Sequence, residues 1–358
     1  MPNELLSEAK RNVNDEFYTR LEDIELELKH YKPYFKGKKV LCNCDDPFES
    51  NFFKYFALNF NSFGLKKLTA TCYNGSHIAG NELELDFGEE TKTDRIAYKV
   101  ELSEVTDITG DGAIDMEDIK ATLKTVKVVS ELNGNGDFRS EECIELLKDA
   151  DIVVTNPPFS LFRDFLELLD KYNKQFIIIG NTNALTYKVT FQMFKLDKIR
   201  TGYTHFNTGM FFHVPDYFEK YHHIEDGKKL ARVSTSCWYT NLPVEKHKEE
   251  LILYKHYTPE EYPHYDNYDA IEVGKYSDIP CDYEGEIGVP ITFLDKFNPN
   301  QFEIIGSFNA SSIESKKEDG YVLSTDTRTI SKGKEILWNG PVVNKRPLYK
   351  RIVIRKKK

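Results

Sequence analysis

Neither a CxxC pair nor a Cys/His cluster of zinc-site spacing occurs in this sequence; its six cysteines lie apart, at 42, 44, 72, 143, 237 and 281. Scattered free thiols of a reducing compartment are the reading that follows. No apolar run approaches the roughly 20 residues that a membrane span needs. The opening, MPNELLSEAKRNVNDEFYTRLEDIELELKH, carries charge throughout and lacks an apolar core of signal-peptide length. A soluble, cytoplasmic protein with no membrane partner is expected. Internal repeats are absent as well.

Aromatic residues are plentiful: 24 Phe and 21 Tyr place the chain among globular rather than disordered sequences. With 358 residues, about two domains are expected. The formal charge of −10 argues against a polyanionic partner only until it is located. Between Asn81 and Lys120 there are 13 acidic and four basic residues, so the rest of the chain is close to neutral. The end, KRPLYKRIVIRKKK from Lys345, holds eight Lys or Arg and no acid. A neutral body with a basic end is compatible with nucleic acid, because affinity follows local phosphate neutralisation; a solvated, frayed terminus is the plainer alternative.

Residues 4–31 read as a helix interrupted by DEFYT at 15–19. KKVLCNC (38–44) is a short strand, and in the following DDPFESNFFKYFALNF the residues Phe52, Phe53, Phe56 and Ala57 share one helical face. LKKLTATCYN (65–74) is a second strand, so a crossover and a parallel sheet are expected. An acidic insertion, 75–131, intervenes. After GNGDFRS comes a helix, SEECIELLKDA, capped by Ser140, although Cys143 leaves the capping box incomplete. A strand at 152–155, the turn NPPF, the helix LFRDFLELLDKY and the strand QFIIIGN (175–181) complete a doubly wound α/β domain over 1–241. Residues 242–358, rich in Tyr, Pro and Asn, form a smaller and irregular second region.

The turn in DIVVTNPPFS is the strongest chemical signal. Two prolines fix the backbone after Asn156, and a rigid turn at a strand's carboxyl end is where open α/β sheets keep their chemistry. An exocyclic amine is a poor nucleophile because its lone pair is delocalised. Two fixed acceptors, the Asn156 side-chain oxygen and the Pro157 carbonyl, can draw its hydrogens out of plane and localise that lone pair for attack on a methyl group. Pro158 stiffens the turn, and Phe159 offers a face for a planar base.

DIVVTNPPFSLF resembles the fourth motif of S-adenosylmethionine-dependent amino-group methyltransferases. The wider chain is similar to the EcoRI-type adenine-specific DNA methyltransferase family, through DEFYT, VLCNCDDPFESNFFKYFALNF, GLKKLTATCY, GDFRS, YDNYDAI and GVPITFLDKFNP. The resemblance implies a Rossmann-like methyltransferase sheet with a C-terminal target-recognition region. It also implies methyl transfer to N6 of a flipped adenine in duplex DNA, in a bacterial or phage setting. Asn156, Pro157 and Phe159 match the catalytic motif. Phe17, Tyr18 and Thr19 match an element lying along the cofactor; read alone they are a helix cap with buried aromatics. Asp137 and Phe138 match an element contacting the cofactor's adenine; read alone they belong to a loop feeding a helix. Where glycines usually let backbone approach a cofactor, this chain has NCDDPFES. Asn43, Asp45 and Asp46 either bind the cofactor's ammonium or cap the next helix. After the second strand only Thr71, Tyr73 and Asn74 are available for a ribose.

DITGDGAIDMED (107–118) nearly spells a calcium loop, with Asp107, Thr109, Asp111, Asp115 and Asp118 at positions 1, 3, 5, 9 and 12 and Gly112 at the sharp turn. A structural calcium and an acidic surface turn are the two readings. The expected protein is therefore a monomeric DNA adenine-N6 methyltransferase. RNA adenine or protein glutamine as substrate, or an inactive calcium-dependent binding protein, stand as alternatives.

Overall fold

The computed structural model describes residues 17–44, 46–74, 97–123, 128–308, 327–331, 333–338 and 340–358. The chain divides into two compact units: one runs to Thr182 and resumes from Gly202 to Leu242, and the other comprises Asn183–Thr201 and Pro243–Lys358.

The elements of the first unit are β1 (Tyr18–Thr19), α1 (Leu21–Leu28), β2 (Lys39–Cys42), α2 (Asn51–Leu58), β3 (Lys67–Thr71), β4 (Tyr98–Leu102), α3 (Met116–Leu123) and β5 (Val129–Glu131). They continue with α4 (Glu141–Asp149), β6 (Ile152–Thr155), α5 (Phe162–Lys171), β7 (Gln175–Asn181), β8 (Met210–Val214), β9 (His223–Glu225), β10 (Lys228–Val233) and β11 (Ser236–Thr240). Within this unit seven strands lie side by side in a mixed sheet, in the order β5-β4-β3-β2-β6-β7-β11. The inner four, β3, β2, β6 and β7, are parallel, and the strands outside them pair antiparallel. Ile152, Val153 and Val154 are fully buried, as expected of a β-branched run covered on both faces. The chain leaves β2 toward β3 on one side and returns to β6 on the other, so β2 and β6 flank a topological switch point.

The apolar face foreseen for α2 is buried, with Phe52, Phe53, Phe56 and Ala57 at 1% exposure or less. Ser140 caps α4 through its hydroxyl, which accepts from the Cys143 N–H at 3.3 Å. A second, antiparallel sheet of order β1-β8-β10-β9 seats the short strand containing Tyr18 and Thr19 against His213 and Phe212. The buried Glu27 of α1 fixes the segment before β8: its carboxylate accepts from the N–H groups of Tyr203 and Thr204, both at 2.8 Å.

The second unit contains α6 (Lys188–Lys195) and β12 (His264–Tyr265), β13 (Tyr268–Glu272), β14 (Ile287–Pro290) and β15 (Phe302–Phe308). It ends with β16 (Thr327–Ser331), β17 (Lys334–Trp338) and β18 (Arg351–Lys356). Five strands run in the order β12-β13-β14-β18-β15. The sequence placed 183–201 in the first domain. Here α6 packs on β15, and the Lys195 ammonium donates to the Ile305 carbonyl at 2.8 Å.

Within the basic C-terminus, Arg351–Lys356 is an interior strand rather than a solvated tail. Arg351 pairs with Glu272 at 2.7 Å, and Arg355 pairs with Glu286 at 2.6 Å and with Glu303 at 3.0 Å. Much of its charge is thus spent inside the unit. No helix among the described residues is long and apolar enough to cross a membrane.

Candidate active site

The NPPF turn leaves the carboxyl end of β6, and the segment beginning at Asn43 leaves the end of the adjacent β2. The Thr155 hydroxyl donates to the Asn43 carbonyl, clamping the two exits together. Asn156 is 6% exposed, and its amide nitrogen donates to the main-chain carbonyl of Phe17 at 2.6 Å. A carbonyl can only accept, so that contact fixes which end of the amide is nitrogen. The oxygen left over, Oδ1, is buried and has no hydrogen-bond partner among the described residues. Burying an unsatisfied acceptor costs about 1–3 kcal/mol, which a fold sustains where the atom serves another purpose. Pro157 is buried as well.

Phe159 is packed rather than open. Its ring stacks on Phe17 with centroids 6.0 Å apart and meets the edge of Phe212 at 6.3 Å; Phe17 also touches Phe218 at 6.1 Å. Thus Phe17 contributes both a ring to this cluster and the carbonyl that orients Asn156. The Asn51 amide at the start of α2 holds the next carbonyl but one, that of Thr19, at 2.8 Å. Sequence reasoning gave no role to Asn51, Phe212 or Phe218; α2 and β8 meet β1 only through long-range packing, which no local spacing announces. Tyr18 turns the other way, toward a cavity of about 610 Å³ that His213, Lys54 and Glu49 also line. Of the residues singled out from the sequence, Tyr18 alone contributes to its wall.

On the cofactor side, Asp45 lies outside the described residues. The Asn43 Oδ1 and the Thr19 hydroxyl are buried without hydrogen-bond partners among the described residues. Asp46 is buried and accepts from the Phe48 N–H at 2.9 Å and from the Tyr98 hydroxyl at 2.8 Å. Burial, and then the neighbouring Asp46 carboxylate, push the Tyr98 phenol far above its ordinary range, so it stays a donor. Beyond β3, the Asn74 N–H donates to the Asn135 carbonyl at 3.0 Å. Gly136, at φ +78°, lies so close that an added Cβ would fall 2.2 Å from the Cys72 carbonyl oxygen. The GNGDF loop and the end of β3 are therefore seated together. Thr71 is buried there, while Tyr73 is 40% exposed.

Asp137 is engaged by its own neighbour. Its carboxylate accepts from the Arg139 side chain at 2.9 and 2.7 Å and from the Arg139 N–H at 2.8 Å, which holds its pKa below the usual carboxylate range. Phe138 is buried edge-on against Phe165 at 5.0 Å.

The five oxygens expected to surround calcium are brought together only in part. Carboxylate oxygens of Asp107, Asp111 and Asp118 lie within 4.8 Å of one another. Asp115 instead accepts from the Glu117 N–H at 2.7 Å at the start of α3, and the Thr109 hydroxyl donates to Asp107 at 3.3 Å. Asp118 accepts from the N–H groups of Ile108 and Thr109, both at 2.8 Å, and of Asp115 at 3.0 Å. These donors close the loop from within, and nothing in the site chemistry calls for an ion there.

Comparison with known proteins agrees with this geometry. The family model described as adenine-specific methyltransferase EcoRI matches residues 5–357. Type II methyltransferase M.EcoRI of Escherichia coli is 45% identical over 317 residues, covering 85% of this chain and 89% of that protein. Type II methyltransferase M.MpnI of Mycoplasma pneumoniae is 38% identical over 339 residues, covering 91% and 93%. M.MgeORF184P of Mycoplasma genitalium is 37% identical over 306 residues, covering 83% and 84%. No solved structure matches. An NPPF turn at the switch point of a mixed α/β sheet, with a family match along nearly its whole length, means that this chain belongs to the EcoRI family of adenine-specific methyltransferases.

Proposed function

We propose that this protein transfers the methyl group of S-adenosylmethionine to N6 of an adenine in duplex DNA, at the turn formed by Asn156, Pro157, Pro158 and Phe159. The observation that carries this reading is the Asn156 Oδ1: buried, unpaired, and held in place because Nδ2 is tied to Phe17. Together with the Pro157 carbonyl it supplies the two acceptors that an exocyclic amine requires. The amine hydrogens are drawn toward these oxygens, its lone pair turns outward, and nitrogen forms a bond to carbon as the carbon–sulfur bond breaks. The extra proton leaves the nitrogen after attack, so no side chain is assigned as an obligate base. Because Asn156 lies below the surface, a paired adenine cannot reach it, and the base leaves the duplex to do so.

The cofactor supplies the electrophilic methyl group when bound. The chain's own residues suit it: among the described residues Thr19 and Asn43 have buried oxygens without partners, the chemistry that an ammonium seeks, and Asn43 and the buried Asp46 follow directly on the end of β2. The four parallel inner strands and the switch between β2 and β6 support a Rossmann-like methyltransferase arrangement. In this reading Phe17 and Tyr18 border the cofactor and Phe138 packs near its adenine. For Asp137 to hydrogen-bond that adenine, a carboxylate oxygen must exchange part of its contact with Arg139. The region after residue 241 serves target recognition, and the enzyme acts as a monomer on double-stranded DNA.

The test is incubation of the purified protein with tritiated S-adenosylmethionine and, separately, duplex DNA, total RNA and a protein extract. N6-methyladenine in the DNA is the expected product. Label confined to RNA or protein would move the substrate elsewhere. Asn156→Ala is expected to lower the transfer rate by about 10²–10³-fold, the scale of losing one preorganised transition-state partner, while cofactor affinity stays within error by calorimetry.

A further inference from the structure

The second unit contains a two-stranded ribbon, β16 and β17, with an unusual outer face. Cross-strand partners share a face, and Arg328 stands opposite Leu337 while Ile330 stands opposite Glu335. All four are exposed, Ile330 at 54% and Leu337 at 68%. The other face is seated: Thr329 is buried, its hydroxyl donates to the Lys345 carbonyl, and the Ile330 N–H donates to the same oxygen at 3.0 Å. That carbonyl belongs to a tight turn at Asn344 and Lys345, whose N–H groups both bond the Asp266 carboxylate. The ribbon is thus mounted on the turn that displays Lys345 and Arg346, both exposed.

Charge separates this patch from the rest of the chain. Residues 327–350 contain six Lys or Arg and one acid, in a protein of net charge −10. Unlike Arg351 and Arg355, Lys345 and Arg346 make no ion pair among the described residues. Arg328 has only a loose contact with Glu335, at 3.9 Å between groups that are both mostly solvated. Exchanging that contact for another costs little. Two aliphatic side chains, Ile330 and Leu337, are left in solvent beside Arg328.

We propose that the outer face of this ribbon enters the DNA major groove and reads base edges, while Lys345 and Arg346 hold the flanking phosphates. The proposal rests on the methyltransferase reading above and extends it to the element that selects the site. A two-stranded ribbon fits a groove about 12 Å wide. The exposed side chains are also the types that distinguish bases there: Arg toward guanine O6 and N7, Glu toward the cytosine amine, aliphatics toward the thymine methyl.

The experiment uses the full chain and three variants: Arg328→Ala/Leu337→Ala, Arg328→Lys, and Lys345→Gln/Arg346→Gln. S-adenosylmethionine binding is followed by calorimetry, duplex binding by anisotropy at about 50 and 200 mM salt, and methylated positions by sequencing. Retained cofactor binding reports a folded catalytic unit, and an unchanged melting transition reports the rest. The ribbon variants are expected to lose at least tenfold in methylation of preferred sites, with relaxed choice of site. The Lys345/Arg346 variant is expected to weaken on all duplexes alike, with its salt slope shallower by about two. Wild-type affinity and site choice in all three variants would overturn the proposal. So would a change in sedimentation with DNA binding intact, which would make the ribbon a self-association surface. If the wild type binds duplex DNA but transfers no methyl, the methyltransferase reading fails, and the affinity comparison still decides the ribbon's role.

Discussion

Among the described residues Asn156 has one side-chain atom tied and one untied, and in the reaction proposed above that asymmetry is an advantage: an acceptor free to rotate would have to be ordered during each turnover. The two prolines single out Asn156 in the sequence, and its residue type suggests acceptor chemistry. The sequence did not show what orients the amide, because the Phe17 carbonyl is 139 residues away and a backbone group leaves no trace in residue type. Gly136 is a parallel case. Its place in GNGDF suggests a turn, whereas its close approach to the Cys72 carbonyl is visible only in three dimensions. Gly136→Ala is expected to cost about 1–3 kcal/mol from the left-handed backbone alone, with more from the clash. Melting should fall accordingly, and cofactor affinity should fall more than the rate at saturating cofactor, as calorimetry and single-turnover kinetics would report.

At the scale of elements, strands and helices with strong periodicity were legible. The buried run Ile152–Thr155, the amphipathic α5 and the Ser140 cap of α4 each follow from a few adjacent residues. Elements whose identity depends on distant partners were not. KRPLYKRIVIRKKK looks like a soluble tail by composition, yet Ile352, Val353 and Ile354 are fully buried between β14 and β15. The loop 107–118 is intermediate: its Asp spacing was plain, but backbone donors take up the carboxylates that the spacing suggested for a cation. The N–H groups of Thr109 and then Asp115 hold the Asp118 pKa below its unfolded value near 3.9. A depressed folded pKa gives stability that is present above about pH 4 and is lost as pH falls through the folded value. Asp118→Asn is therefore expected to melt below wild type at neutral pH, with the two curves converging in acid. A chelator should leave that difference in place, since the donors belong to the backbone.

For the whole molecule, the charge pattern matters more than its total. Acid is concentrated between Asn81 and Lys120, while beside the ribbon Lys345 and Arg346 make no ion pair among the described residues and Arg351 and Arg355 of the C-terminal strand are paired. Removal of residues 351–358 tests the structural role of that strand. Full burial of its three aliphatic side chains contributes about 1.5–3 kcal/mol each, against a net stability of roughly 5–15 kcal/mol for a typical domain. The shortened chain is expected to lose the second unit's cooperative transition in calorimetry and to become protease-sensitive after Leu242. A tail serving only as a phosphate contact would leave that transition unchanged.

The passage of 183–201 into the second unit has a consequence for exchanging parts between relatives. The chain crosses between units three times, so neither unit corresponds to one uninterrupted stretch of gene. A chimera made at a single junction near residue 242 would set an α6 from one parent against a β15 from the other. Exchange of the second unit between relatives thus requires two inserts transferred together, a constraint that favours divergence by point substitution over the trading of whole modules.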